Sequence, residues 1–260
     1  MTLTSDFGTS DGYVGAMKGS ALSTAEDLNI IDIAHDIPAW DIRRGALCIR
    51  NAIPSFPKGT VHAVIIDPGV GTNRRSLITL TKGQAIVSPD NGLISLILNW
   101  DPDASVFLLD FSTINKEERF RTFHGRDLYS PTAAMLASGK LRLPGQLPTV
   151  DTPQSFPCGF SWNRDTIVGT TLCSDRFGNI ITSIPWAEIP DPEQYQVRSG
   201  ALIVDKKVRT YGEAQPGTLV SLEGSLGFLE LSLVEGNAHK RLKLRPGSTL
   251  FVEPKRSKKH

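Results

Sequence analysis

TVHAVIIDPGVG, residues 60–71, is a run of mostly β-branched and small apolar side chains, with His62 its one exception, that stops at Asp67 in a cluster of turn formers. A strand with one wet face alternates apolar and polar residues; a strand covered on both faces reads as continuous apolar sequence. This run is therefore a central strand with helices on both sides. The flanking sequence agrees. MTLTSDFG is a strand entering a loop, residues from about Gly12 to Thr24 (YVGAMKGSALST) have a helical pattern, and LNIIDIAHDI is a second strand. DIRRGALCIRNAIPSF sets Ile42, Ala46, Ile49 and Ile53 at helical spacing, and QAIVSPDNGLISLILNW repeats the order strand, turn, helix. Strands alternating with helices predict an α/β domain with a mostly parallel sheet and flanking helices.

From about Leu141 the texture changes. LRLPGQLPTVDTPQSFPCG carries four prolines and little periodicity, a linker composition. Beyond it DTIVGTTLCSD, NIITSI, ALIVDKKVRTYG, TLVSLEGSLGFLELSLVEG and RLKLRPGSTLFVEP are short segments punctuated by Gly and Pro, the pattern of a small antiparallel barrel or sandwich. The expected layout is an α/β domain over 1–148, a linker over 149–162 and a smaller, all-β, barrel-like domain over 163–260.

Composition narrows the function. The 260 residues are 40% hydrophobic and 21% charged, which is a globular chain with a real core. The 28 Lys+Arg against 27 Asp+Glu leave a net charge of +1, so no global field attracts nucleic acid or an anionic membrane. No apolar run approaches the roughly 18–20 residues of a membrane span, and the first residues, MTLTSD, lack the basic and apolar regions of a signal peptide. Cys48, Cys158 and Cys173 are odd in number and scattered, with no C-x-x-C pair. A cytoplasmic location is expected, with no nucleic-acid or membrane partner.

Ligands of open α/β sheets sit at the carboxyl ends of the strands, where Asp, Gly and Asn follow apolar runs here. Asp6 and Asp11 lie in SDFGTSDG; as acceptor-only groups they suit ribose hydroxyls or an ammonium, or else serve a helix cap and turn. Asp67 and Arg74 lie in DPGVGTNRR, where two glycines allow close backbone approach, although an ordinary surface turn has the same composition. Neither G-x-x-x-x-G-K-[ST] nor G-x-G-x-x-G occurs. PDNG at 89–92 reads as a β-turn feeding a helix. His124, in FHGRD, is a candidate acid or base with charged neighbours. In the β region DRFGN holds Asp175 and Asn179, either a hairpin turn or a pair able to meet an adenine edge.

Taken together, TLTSDFGTSDGYVGAMKG, KGTVHAVIIDPGVGTNRR, VSPDNGLIS, FHGRD and DRFGNIITS resemble the S-adenosyl-L-methionine (SAM) hydrolases, or SAM hydroxide adenosyltransferases, relatives of the fluorinating and chlorinating enzymes that attack the same carbon. The resemblance runs in order from Thr2 to about Phe251. It implies an N-terminal α/β domain, a C-terminal barrel-like domain, and a homotrimer with sites between one subunit's N-domain and its neighbour's C-domain. It implies a catalytic set of Asp67, Arg74 and His124, Asp6 on the ribose hydroxyls, Asp11 facing the methionine end and Trp40 lining the pocket. Asp175 and Asn179 match positions gripping the methionine amine and adenine. Ser225 and Glu230 match substrate contacts, and the backbone near Val234 would lie against adenine. After Ser225, where the halogenases carry Arg, this chain has Leu226. The halogenases also carry uncharged residues at the positions of Asp67 and His124, and Ser at that of Gly125, so the resemblance favours water over halide as nucleophile.

The implied reaction is SAM hydrolysis to adenosine and methionine, with SAM as substrate, no cofactor and no metal. The sulfonium leaves as a neutral thioether without acid assistance. Water must be held close and poorly solvated and must lose a proton; His124 or Asp67 accepts it, and Arg74 stabilises the developing hydroxide. Two other classes compete. Asp6, Asp11, His35, Asp36, Asp67, His124 and Asp127 suggest a metal-dependent hydrolase of a nucleotide or related small molecule, although no H-E-x-x-H or other fixed-spacing pair is present. A non-catalytic SAM, adenosine or RNA binder is the other, the RNA version resting on the eight Lys/Arg of residues 239–260, which lack interleaved aromatics.

Overall fold

The computed structural model describes residues 1–111, 122–143 and 147–255, which divide into two units, Met1–Phe156 and Pro157–His260. The first unit runs β1 (Thr2–Ser5), α1 (Tyr13–Thr24), β2 (Ile31–Ala34), α2 (Ile42–Ala52), β3 (Val61–Ile65), β4 (Ser76–Thr81), β5 (Gln84–Pro89), α3 (Ser95–Trp100), β6 (Ser105–Leu109) and α4 (Ser130–Ala137). Its sheet has the order β2-β1-β3-β5-β4-β6.

β3 is covered on both sides, as its composition requires. Val61, Ala63 and Ile65 pack with Val14 and Met17 of α1 and Ala133 of α4. Val64 and Ile66 face the opposite way, toward Ile49 of α2 and Ile97 of α3. Each such fully buried side chain contributes about 1.5–3 kcal/mol of transfer free energy. α2 starts where Asp41 accepts a hydrogen bond from the Arg44 amide at 3.0 Å. It buries Ala46 and Ile49, and Ile53 just beyond it, at the predicted spacing.

The sheet is mixed: the expected parallel strands form one part of it, and an antiparallel pairing that the mostly parallel expectation did not place forms the rest. β1 pairs in parallel with β2 and β3, and β3 with β5, but β4 is antiparallel to both β5 and β6. Only Lys82 and Gly83 separate β4 from β5, both at positive φ (47° and 80°). A two-residue turn of that kind closes a hairpin and is far too short for a parallel crossover. The reversal matters for function. It brings the start of β4 to the edge of the sheet where β1, β3 and β5 end.

Residues 150–156 are stitched to this first unit. The Val150 amide donates to the Val106 carbonyl at 2.8 Å, that of Gln154 to Asp90 Oδ1 at 2.7 Å, and that of Phe156 to Ser95 Oγ at 3.0 Å. The second unit holds β7 (Ser161–Asn163), β8 (Thr166–Ser174), β9 (Ile180–Pro185), β10 (Tyr195–Ser199), β11 (Leu202–Val204), β12 (Leu219–Glu223), β13 (Phe228–Leu233), α5 (Ala238–Leu242) and β14 (Thr249–Pro254). The strands form one sheet in the order β11-β10-β14-β8-β9-β13-β12, with β7 beside β8. A parallel bridge between Lys207, just after β11, and Ser221 of β12 brings the two edges together, so the sheet is nearly a closed barrel. The end of the basic tail, residues 256–260, lies outside the described residues.

Among the described residues no helix is long and apolar enough to cross a membrane. The three cysteines are present as thiols.

Candidate active site

Asp6 follows the last residue of β1, and Asp67 stands two residues beyond the end of β3; these are neighbouring parallel strands with Ser5 in register with Ile65. The Asn91 side chain donates to the Ile66 carbonyl at 2.8 Å and so steadies the backbone just ahead of Asp67. Arg74 lies two residues before β4 and returns to Asp67 because β4 starts at this edge. Its Nε donates to Asp67 Oδ1 at 2.8 Å and its Nη2 to Asp67 Oδ2, a two-pronged ion pair. Nη1 donates to Ser76 Oγ at 2.9 Å, and Nη2 also meets His124 Nδ1 at 2.8 Å. The pair is withdrawn from solvent, with side-chain exposures of 8% for Arg74 and 4% for Asp67. Burial alone would lower the guanidinium's pKa; the hydrogen bonds to Asp67 outweigh it and raise the value above the ordinary range.

His124 reaches this group from the far side of the sequence. It precedes a π-helical turn, Gly125–Tyr129, that runs into α4. Such one-residue insertions often mark functional sites. Gly125 is required by close approach, since a β-carbon there would stand 2.9 Å from Met17 Sδ and 3.2 Å from the rings of Phe7 and Phe123. The buried ring of His124 packs edge-on against Phe111, with centroids 5.2 Å apart. A guanidinium can only donate, so Nδ1 is the accepting nitrogen and the neutral ring carries its proton on Nε2.

Behind Arg74, Ser76 Oγ meets Tyr129 Oη at 2.9 Å, with the Tyr129 ring centroid 5.6 Å from the guanidinium carbon. Burial pushes the Tyr129 hydroxyl well above the usual phenol range, so it stays a neutral hydrogen-bonding group. The sequence reading missed both residues. Ser76 is an ordinary strand residue in a run of apolar ones, and nothing local marks a tyrosine that matters because of the turn before α4.

Arg126 turns its fork onto Asp127, at 2.7 and 2.8 Å. Arg75 pairs with the buried Asp90 and with the Thr152 carbonyl. Of the two adjacent arginines, only Arg74 enters the triad.

Asp6 Oδ2 accepts the Trp40 amide at 2.8 Å, tying the loop after β1 to the loop before α2. Trp40 is 72% exposed and sits at φ 66°, an uncommon conformation for a bulky residue. Asp11 is exposed, one residue before Gly12 at the start of α1.

Three candidates of the second unit, Asp175, Asn179 and Glu230, are linked through Tyr211. Asp175 accepts from the Asn179 amide at 2.8 Å and from Asn179 Nδ2 at 3.0 Å across a turn whose Gly178 has φ 91°. Asn179 Nδ2 also lies 3.5 Å from Tyr211 Oη, which donates to Glu230 Oε1 at 2.6 Å; Ser232 Oγ donates to the same oxygen at 2.8 Å. Burial, then the Glu230 hydrogen bond, raise the pKa of Tyr211. Tyr211 and Ser232 were not singled out from sequence, since only the barrel brings residues 175, 211 and 230 together. Ser225 is exposed on the turn between β12 and β13. The Val234 amide donates to the Thr218 carbonyl at 3.0 Å, and its carbonyl accepts from Gly217 at 2.8 Å.

The residues raised for a metal site are distributed differently. His35 is engaged by Ser5 and Asp32, and among the described residues no group of three His, Cys, Asp or Glu side chains is placed to hold a metal ion.

Residues 1–144 match the SAM hydroxide adenosyltransferase N-terminal domain, and residues 169–251 match the SAM hydroxide adenosyltransferase C-terminal domain. The (R)-S-adenosyl-L-methionine hydrolase of Thermus thermophilus is 36% identical over 254 residues, covering 94% of this chain and 95% of that protein. That of Methanocaldococcus jannaschii is 35% identical, over 93% and 91% of the two chains. A fluorinase from Actinoplanes is 27% identical over 95% of each. Among solved structures, a conserved protein from Thermotoga maritima matches with a TM-score of 0.82 at 28% identity, covering 97% of this chain and 99% of its own. One from Thermus thermophilus matches at 0.79 and 35%, covering 96% and 98%.

Proposed function

This chain belongs to the SAM hydroxide adenosyltransferase family, and we propose that it hydrolyses SAM to adenosine and L-methionine by in-line attack of water on C5′. The observation that carries the proposal is the Asp67–Arg74–His124 set, a buried carboxylate and an imidazole bound to one guanidinium at the carboxyl edge of the sheet. Relatives named as (R)-S-adenosyl-L-methionine hydrolases cover nearly the whole chain and support the substrate.

The sulfonium carries its own leaving group, so the protein's task is to prepare the nucleophile. Arg74 spends the Nδ1 lone pair of His124, which leaves the imidazole a donor at Nε2. Asp67 keeps carboxylate lone pairs outside the Arg74 fork, so it is the group assigned to accept the proton of water while His124 orients the oxygen. Arg74 holds both at fixed positions and supplies positive charge where hydroxide character develops. Asp67 beside the nucleophile would repel a halide, which separates this chemistry from halogenation.

In the same reading Asp6 holds the ribose hydroxyls, Trp40 lines the pocket and Asp11 faces the methionine end. Asp175 meets the methionine amine. Asn179, its Nδ2 donated to Asp175, presents Oδ1 to the adenine amino group. Glu230, Ser225 and the backbone near Val234 complete the substrate contacts. The Val234 amide is already paired with Thr218, so its part is packing. The reading includes a cytoplasmic homotrimer, with one subunit's N-terminal domain and its neighbour's C-terminal domain forming each site, and chemistry that uses neither metal nor cofactor.

Incubation with SAM followed by chromatography tests the reaction. Adenosine and methionine should accumulate equally with or without EDTA, disappear with Asp67→Ala and fall with His124→Ala. An unchanged nucleoside pool after long incubation refutes the hydrolase reading, and activity restored only by a divalent ion refutes its metal-free form. Sedimentation at three times 28.3 kDa is the expected mass.

A further inference from the structure

Asp6 sits between Ser5 and Gly8, and one residue holds both ends of that segment. His35 Nδ1 is 2.6 Å from Ser5 Oγ, and the His35 carbonyl accepts the Gly8 amide at 2.7 Å. On the other side of the ring, Nε2 is 3.2 Å from Asp32 Oδ1, and Asp32 Oδ2 accepts from Lys18 Nζ at 2.6 Å. Burial favours the protonated acid at Asp32, but hydrogen bonds to Lys18 and His35 outweigh it and hold the pKa below the usual carboxylate range. An ionised carboxylate only accepts, so Nε2 carries a proton, and in the neutral form of the ring Nδ1 takes the hydroxyl proton of Ser5. The Ser5 oxygen is then the acceptor that the Phe7 amide meets at 3.4 Å. Ser5 is fully buried and the His35 side chain is 4% exposed, so water does not substitute for either partner.

From this we infer that His35, through Ser5 and Gly8, is a positioning residue that fixes the Asp6 carboxylate for the ribose hydroxyls. The inference rests on the reading of Asp6 given above and goes beyond it. His35 and Trp40 clasp the 5–8 segment from one stretch of chain, His35 through its ring and carbonyl and Trp40 through its amide to Asp6. Only the ring contact depends on side-chain identity. Asparagine places an acceptor near the position of Nδ1 and preserves it; alanine does not. His35 was weighed from sequence only as a metal ligand, and its geometry assigns it instead to the backbone that carries Asp6.

The test is calorimetric binding of adenosine and of 2′,3′-dideoxyadenosine to the full-length protein, with steady-state SAM hydrolysis alongside. A carboxylate gripping hydroxyls should make the wild-type protein prefer adenosine by roughly 10–100-fold. His35→Ala and Ser5→Ala should each shrink that preference to about threefold or less and raise KM more than they lower kcat, while His35→Asn keeps it within about threefold of wild type. A folded His35→Ala or Ser5→Ala protein that discriminates as well as wild type overturns the inference, as does His35→Asn behaving like alanine. If His35→Ala does not fold, Ser5→Ala and His35→Asn decide the matter by the same criteria. A wild-type protein that binds adenosine with no preference for the hydroxyls refutes the Asp6 reading itself, and this is visible before any variant is made.

Discussion

Replacing Arg74 by lysine keeps the positive charge and removes the fork. The guanidinium makes two hydrogen bonds to Asp67, one to Ser76 and one to His124 Nδ1, from three nitrogens held in one plane. A lysine ammonium concentrates its donors on one atom, so it can serve Asp67 and at most one other partner. Two hydrogen bonds are lost at about 1 kcal/mol each net, which predicts about 2 kcal/mol of destabilisation. For a unit of this size that is a fall of roughly 4–8 °C in melting temperature, read by circular dichroism. The kinetic effect should be larger. With the Nδ1 contact gone, Arg74 no longer holds the tautomer and position of the His124 ring, and a misplacement of about 1 Å in a reacting group costs on the order of 10²-fold. Loss of preorganised charge at the developing hydroxide adds to this, so kcat for adenosine formation should fall about 10²–10³-fold. Binding of SAM should change little, because in the proposed reaction Arg74 acts on the nucleophile. An Arg74→Lys enzyme within threefold of wild-type kcat would refute the triad as the source of catalysis. A fall confined to KM would assign Arg74 to substrate binding instead.

Tyr129→Phe removes the hydroxyl behind Ser76 and leaves the ring under Arg74; chromatographic assay should show kcat lower by about threefold to tenfold, with a stability loss near 1 kcal/mol. Gly178→Ala forces a β-carbon into φ 91° and to within 2.2 Å of Asn237 atoms, which predicts about 2–4 kcal/mol of destabilisation of the second unit from strain and overpacking. Intrinsic melting curves of the wild type and variant check this. Burial, against a hydrogen bond from His62 Nε2 to Gln84 Oε1 that favours the charged form, holds the His62 pKa below the ordinary histidine value. Its contribution to stability is therefore complete above about pH 6.5 and is lost as pH falls below that toward the folded-state value. A melting-temperature series from pH 8 to 5 should show an acid-side decline that is shallower in His62→Gln.

Several decisive features were legible in the sequence because they are local. The apolar run of residues 61–66 specified a strand covered on both faces, and the spacing of Ala46, Ile49 and Ile53 specified the helix face that covers one of them. The Gly and Pro punctuation beyond residue 157 specified short antiparallel strands. The family resemblance carried by the ordered motifs brought Asp67, Arg74 and His124 forward as a set, although positions 74 and 124 are fifty residues apart. What tertiary structure alone decided is where groups from different segments meet. The reversal of β4 was hidden because the two-residue turn at Lys82 and Gly83 is marked by conformation more than by composition, and that reversal is what returns Arg74 to Asp67. Which of the adjacent arginines enters the triad, which nitrogen of His124 is spent on it, and the gathering of Asp175, Tyr211 and Glu230 on the barrel all depend on side chains packed from separate strands. Local propensity carries no information about such encounters. Sequence determined the elements and the kinds of chemistry available; burial and strand direction decided which atoms are close enough to carry it out.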